Sequence, residues 1–127
     1  VIQTSVNCVA MCPNNLDEME DFQLEFLTKL PTTWDETRYI DGYPTRYAVL
    51  ARRTGNDWYV AGLNGTDKPM TLNLNLPMLA GKTVNLYIDN PRKKGEIVPT
   101  SVMKPIKVGK DGMAKVTIQP MGGMIIK

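Results

Sequence analysis

The 127-residue chain contains no histidine. Without imidazole there is no Ser/His/Asp or Cys/His relay and no histidine-ligated zinc or iron, which removes most hydrolase and metalloenzyme chemistry. Carboxylate pairs, lysine and tyrosine remain, and none stands in a recognisable motif. An excess of one charge is also lacking: 15 basic residues face 13 acidic ones for a net +2, with the signs interspersed. That balance excludes a dedicated nucleic-acid or membrane-surface domain. No apolar run approaches the roughly 18–20 residues of a bilayer span, so no membrane span is expected. The chain starts at Val1, with no initiator methionine and no basic n-region leading to an apolar run and cleavage site. An excised or processed piece is therefore expected.

What is present reads as one globular core. The chain is 43% hydrophobic and 22% charged, and a domain this long buries about two thirds of its unfolded surface without a disulfide or metal staple. The pattern changes once, near Pro31. Before it, Leu16, Met19, Phe22, Phe26, Leu27 and Leu30 recur at spacings of three and four, with Gln23 the one polar residue on the stripe. This predicts one helix from an Asn15 cap to Pro31, with Glu18 completing a capping box, Asp17 and Glu20 at its positive end and Lys29 at its negative end. Ile2, Val6, Val9 and Ala10 suggest a further short helical stripe, although Val1-Ile2 and Val9 also suit an extended segment.

After Pro31 the period falls to two. Met70, Leu72, Leu74 and Leu76 alternate with Thr71, Asn73 and Asn75, and the same design recurs in Val84–Asp89 and Ala114–Ile118. Tyr47–Arg53 and Trp58–Leu63 are richer in apolar residues on both faces, which predicts central strands. Thr54-Gly55-Asn56-Asp57, Asn64-Gly65 and Asp111-Gly112 supply turn chemistry between strands. The spacing is that of a meander. The expected fold is mainly β: an antiparallel β-sandwich preceded by an N-terminal helical segment.

Each chemical candidate has a plain structural reading. Cys8 and Cys12 share a helix face, suit a disulfide poorly, and read as buried small hydrophobes. Asp17, Glu18, Glu20 and Asp21 lack the glycine and alternating oxygens of a calcium loop and read as a solvated helix start. Trp34, Trp58, Tyr39, Tyr43, Tyr47, Tyr59 and Tyr87 could include a stacking platform for sugar rings, but adjacent Trp58 and Tyr59 must point to opposite faces. Asn64-Gly65-Thr66 fits a glycosylation sequon and also a turn. Arg92-Lys93-Lys94 reads as a charged loop tip.

Pro31-Thr32-Thr33-Trp34-Asp35-Glu36-Thr37-Arg38, then Tyr47-Ala48-Val49-Leu50-Ala51-Arg52-Arg53, then Asp57-Trp58-Tyr59-Val60-Ala61-Gly62 follow in an order and spacing that resembles the C-terminal domain of glycoside hydrolase family 97. That family comprises α-glucosidases and α-galactosidases common in gut Bacteroidetes. The similarity runs from about Asn14 to the last strand and weakens beyond Asn90, where Gly122-Gly123 is the remaining suggestive feature.

The resemblance implies a helical linker over residues 1–30, the tail of a catalytic barrel region, and a C-terminal β-sandwich over 31–127. It implies no catalytic residue and no cofactor in this stretch, since the family's catalytic carboxylates and calcium belong to its other domains. Its implied partners are the catalytic barrel of the same polypeptide and a second protomer, and its implied setting is periplasmic or secreted. Two functions remain open: an accessory domain that packs on the barrel and pairs protomers, and a carbohydrate-binding module for α-glucans. Trp34, Asp35 and Arg38 are the candidate inter-domain contact, an aromatic anchor beside groups able to make charge-assisted hydrogen bonds. The alternative makes them a simple first strand, with Trp34 in the core and the charges solvated.

Overall fold

The computed structural model describes residues 12–93, 95 and 100–127. Two short helices, α1 (Pro13–Glu18) and α2 (Asp21–Thr28), precede eight described strands. These are β1 (Glu36–Tyr43), β2 (Tyr47–Thr54), β3 (Asp57–Asn64), β4 (Met70–Asn75), β5 (Thr83–Asp89), β6 (Ser101–Lys107), β7 (Met113–Ile118) and β8 (Gly123–Ile126). They form a six-stranded antiparallel sheet in the order β1-β2-β3-β8-β5-β6, faced by the antiparallel pair β4-β7. The sandwich with preceding helices is the predicted fold.

The period-two pattern explains the layers. On β4 and β7, Leu72, Leu74, Ala114, Val116 and Ile118 are buried while Thr71, Asn73, Lys115 and Thr117 face out. Their apolar faces need a cover. They find it in Val49, Ala51, Val60, Leu86, Ile88, Met124 and Ile126 of the large sheet, which join them in one core cluster. Gly62 leaves room on the inner face for its neighbours: a Cβ there would lie 2.8 Å from the Met124 methyl on β8 and 3.2 Å from Ile118 Cδ1 of the facing sheet. Gly55, at φ 54°, turns β2 into β3 as its composition predicts.

Two expectations are corrected. The strands are not a simple meander. β1-β2-β3 is one, but the chain then leaves to build β4, and β8 returns between β3 and β5. Turn spacing reports local connections and carries no information about which distant strand closes the sheet. Nor is the helix continuous from Asn15. Asn15 lies inside α1, Pro13 takes its first position, and the chain restarts as α2 after Glu20. The Gln23 side-chain carbonyl accepts the Glu20 backbone N–H at 3.0 Å, so a capping interaction interrupts the stripe from within. Leu16 is consequently 54% exposed, whereas Phe26 is buried. Asp21 stands in the first turn of α2, but Asp17 and Glu18 close α1 at its unfavourable end. The stripe through Ile2, Val6, Val9 and Ala10, like Cys8 and Lys94, lies outside the described residues.

Candidate functional site

The face of the six-stranded sheet that turns away from β4-β7 is itself apolar. Register places Tyr39, Leu50, Ala61, Ile125, Tyr87 and Met103 in one row across all six strands. A parallel row runs Gly42, Ala48, Leu63, Gly123. Paired residues on adjacent strands point to the same side, so these two rows form one outer face.

α2 covers part of it. Phe26 stacks tilted on Tyr87 with centroids 5.0 Å apart and edge-on to Tyr59 at 6.2 Å, and Phe22 reaches Tyr87 at 6.2 Å. Gln23 completes the attachment by donating from Nε2 to Ser101 Oγ on β6 at 2.6 Å. Its two ends thus serve the helix cap and the sheet, which accounts for a polar residue on the apolar stripe. The Tyr59 hydroxyl donates to the Lys29 carbonyl at 3.4 Å, tying down the end of the helix.

The half of the face on β1, β2 and β3 is left open. Tyr39 is 67% and Leu63 48% exposed, and Leu50 and Ala48 are half-buried between them. The two large side chains lie down over glycines. A Cβ on Gly42 would sit 3.0 Å from the Tyr39 hydroxyl, and one on Gly123 would sit 3.4 Å from Leu63 Cδ2. Between α2 and this shelf runs a groove of about 380 Å³ lined by Met19, Phe22, Leu27, Leu63 and Ile125. Its one carboxylate, Asp89, accepts the Gly123 N–H at 2.8 Å.

Trp34, Asp35 and Arg38 do not form one cluster. Trp34 belongs to the helix side, edge-on to Tyr59 at 5.2 Å and under the Arg52 guanidinium at 4.9 Å. Its indole Nε1 is buried without an acceptor among the described residues. Arg52 is buried, donates to Thr37 Oγ1 at 3.1 Å, and is held below its usual range by that burial. Asp35 accepts the Gly55 N–H at 2.7 Å and lies 3.8 Å from Arg53, so it braces the β2–β3 turn. Arg38 lies on the opposite side of the sheet, above the Trp58 ring at 4.7 Å, and pairs with Glu36. Hydrogen bonds from Arg38 and Arg53 hold the Glu36 carboxyl below its ordinary value.

The aromatic residues divide between the two faces of the large sheet. Trp58 packs toward the core and Tyr59 lies on the helix side. Tyr39 pairs with Leu50 and Tyr43 with Tyr47, three residues apart on β2, so these two exposed tyrosines also point to opposite faces.

The sequon does not present a free amide. Asn64 is 2% exposed; its Nδ2 donates to the Lys68 and Gln119 carbonyls at 2.8 and 3.0 Å, and its Oδ1 accepts from Thr66 N–H and Oγ1. Cys12, expected to be buried, is exposed because it leads into α1, which lies away from the sheet core. Arg92 is exposed in the loop after β5, as expected. Among the described residues no group of three or more carboxylates or thiols could hold a metal ion, and no helix is long and apolar enough to cross a membrane.

Architecture and surface together define a β-sandwich domain with one sheet face half covered and half open. The chain belongs to the family described as glycosyl-hydrolase 97 C-terminal, oligomerisation, whose sequence profile matches residues 33–127. It is 33% identical over its whole length to a retaining alpha-galactosidase of Bacteroides thetaiotaomicron, of which it covers 19%. It also resembles the crystal structure of a beta-arabinopyranosidase, with TM-score 0.82 and 46% identity over 93% of this chain and 18% of that one. A glycoside hydrolase family 97 enzyme of Pseudoalteromonas sp. strain K8, in complex with panose, shares the fold with TM-score 0.73 at 21% identity, over 91% of this chain and 19% of that one. The chain thus spans about one fifth of the length of the relatives it matches.

Proposed function

We propose that this chain is the non-catalytic accessory domain of a glycoside hydrolase of the α-galactosidase type, attached to the catalytic part and serving to hold protomers together. The observation that carries this is the chemistry of the groove. Glycoside hydrolysis normally requires two carboxyl groups placed across the scissile bond. The groove offers one, already committed to a backbone N–H. Elsewhere on the sandwich Asp35, Glu36, Asp41 and Asp111 accept from backbone amides or arginines. The relatives named as a retaining alpha-galactosidase and a beta-arabinopyranosidase support the parent activity, and the oligomerisation description of the family supports the pairing role. Any calcium requirement falls to the catalytic part.

Two measurements test the proposal. The isolated chain is expected to release no nitrophenol from aryl α-galactosides. Deleting residues 33–127 from the whole enzyme is expected to lower its light-scattering mass to that of a single protomer. Turnover that tracks the purified chain and disappears on mutating one of its own carboxylates refutes the non-catalytic reading. An unchanged assembly mass refutes the pairing role.

A further inference from the structure

We infer that the pocket at the end of the sandwich where β5 finishes and β8 begins is a binding site for a neutral sugar ring, a role separate from the holding of protomers. Three connections meet there: the one between β3 and β4, the one after β5, and the tight turn between β7 and β8. They enclose about 470 Å³, a volume within the range of small-molecule sites. Loops gathered at one end of a rigid sandwich are where such folds carry recognition.

The ligand class follows from the lining. Among the described residues around the pocket, Asp89 and Arg92 carry the charge, and Asn90 and Gln119 add carboxamides. One charge of each sign suits neither an anion, which would face Asp89, nor a cation, which would face Arg92. Mixed donors and acceptors without net charge match vicinal hydroxyl groups, each of which both gives and takes a hydrogen bond. The Asp89 carboxylate is aimed by the Gly123 N–H, which Oδ2 accepts at 2.8 Å, and Oδ1 has no partner among the described residues. Pro69, Pro91, Pro120 and Met121 supply apolar walls for the C–H face of a ring. A single carboxylate provides no pair across a glycosidic bond, so the pocket holds a sugar without cleaving it.

The site is built before a ligand arrives. Asn64, buried at the end of β3, ties two of the loops together: its Nδ2 donates to the Lys68 and Gln119 carbonyls at 2.8 and 3.0 Å, and its backbone N–H donates to the Gly122 carbonyl at 2.9 Å. The Met121 N–H closes the same junction on the Thr66 carbonyl at 3.0 Å. Because the Gly122 N–H donates to the Gln119 carbonyl at 3.1 Å, residues 119–122 form a β-turn with Pro120 and Met121 at its centre. Met121 has φ 51° at a position where such a turn favours glycine, and its side chain stands 73% exposed at the pocket rim. A strained residue that fills no part of the core is of the kind held for contact with something outside the fold.

The test uses the whole enzyme with isotope-labelled methionine methyl groups, which read this pocket apart from the catalytic site by nuclear magnetic resonance. The Met121 signal is assigned by its loss in Met121→Gly. Methyl α-galactopyranoside, methyl α-glucopyranoside, raffinose and maltotriose are the probes, and inorganic phosphate is the anionic comparison. At least one sugar should move the Met121 signal saturably, with a Kd of millimolar order or tighter. Asp89→Asn, which keeps an acceptor for the Gly123 N–H, and Arg92→Ala, at an exposed position, should each weaken that response about tenfold or more, with the melting temperature unchanged. Movement with phosphate and with none of the sugars makes this an anion site and overturns the inference. No movement with any probe overturns it, and so does a sugar response undiminished in both variants, which places the sugar elsewhere.

Discussion

Replacing Phe26 by alanine tests how α2 is held to the sheet. Phe26 is 8% exposed and meets Tyr87 and Tyr59 at centroid separations of 5.0 and 6.2 Å. Truncating a buried phenylalanine removes its transfer free energy and leaves a cavity, together about 3–5 kcal/mol. The lower end applies here, because an eight-residue helix can shift toward the vacated space more easily than a strand fixed in a ladder. With a urea slope of about 2 kcal/mol/M, a loss of about 3 kcal/mol moves the unfolding midpoint down by about 1.5 M. The assay is urea titration followed by tryptophan fluorescence, since Trp34 and Tyr59 lie in the same ring cluster. Phe26→Leu, which keeps most of the volume, should recover the larger part of the loss. A shift for Phe26→Ala equivalent to less than about 1 kcal/mol, at unchanged slope, would refute the reasoning: the helix would then not be part of the cooperative unit.

Asn64→Ala should destabilise the domain by about 2 kcal/mol, because it strips a partner from the buried Ile118 carbonyl and from the part-buried carbonyls of Lys68 and Gln119; thermal unfolding within a degree of wild type would contradict this. For the same reason, expression in a glycosylating host should leave Asn64 unmodified in the folded domain, as read by intact mass. Acid stability should depend on Glu36. Its carboxyl is lowered from 4.5 by hydrogen bonds from Arg38 and Arg53, so its contribution is present above the ordinary carboxylate range and is lost as pH falls through the depressed folded value. Glu36→Gln should flatten the stability profile between about pH 5 and 3, and a profile superimposable on wild type there would show that the pair contributes nothing.

The sandwich was legible wherever one face of a strand is wet. The alternation in β4, β5 and β7 named the buried side chains residue by residue, and Leu72, Leu74, Val116 and Ile118 lie where it placed them. β6 was hidden by Pro105, which the ladder tolerates at the sheet edge, and β8 by its four residues. The break between the helices is written in Gln23, a polar residue on an apolar stripe that marks a new start; Glu20 three residues before it is the capping spacing. β2 and β3 are the interior strands that their double-sided apolarity predicts, yet the outer face over Leu63 and Tyr39 stays open among the described residues. Sequence reports that a face is covered, and not whether the cover belongs to the same fold. Trp34 and Arg38, four residues apart, would share a side in an unbroken extended segment; the bend at Asp35 ahead of β1 puts them on opposite sides, and adjacency in the chain does not show it.

The position of β8 has a consequence for biosynthesis. It is the seam between the β1-β2-β3 meander and the β5-β6 hairpin, pairing Val60–Leu63 on one side and Leu86–Ile88 on the other. Until β8 leaves the ribosome, the large sheet exists as two fragments, each with a raw inner edge. Both edges carry the hydrogen-bonding groups that template pairing between chains. The nascent domain therefore passes its most aggregation-prone interval with nearly all of its sequence already made, and completes in a late, non-local step of the kind that slows β-rich folding. Nicks within β8 or loss of it should consequently damage the fold far more than its four residues suggest.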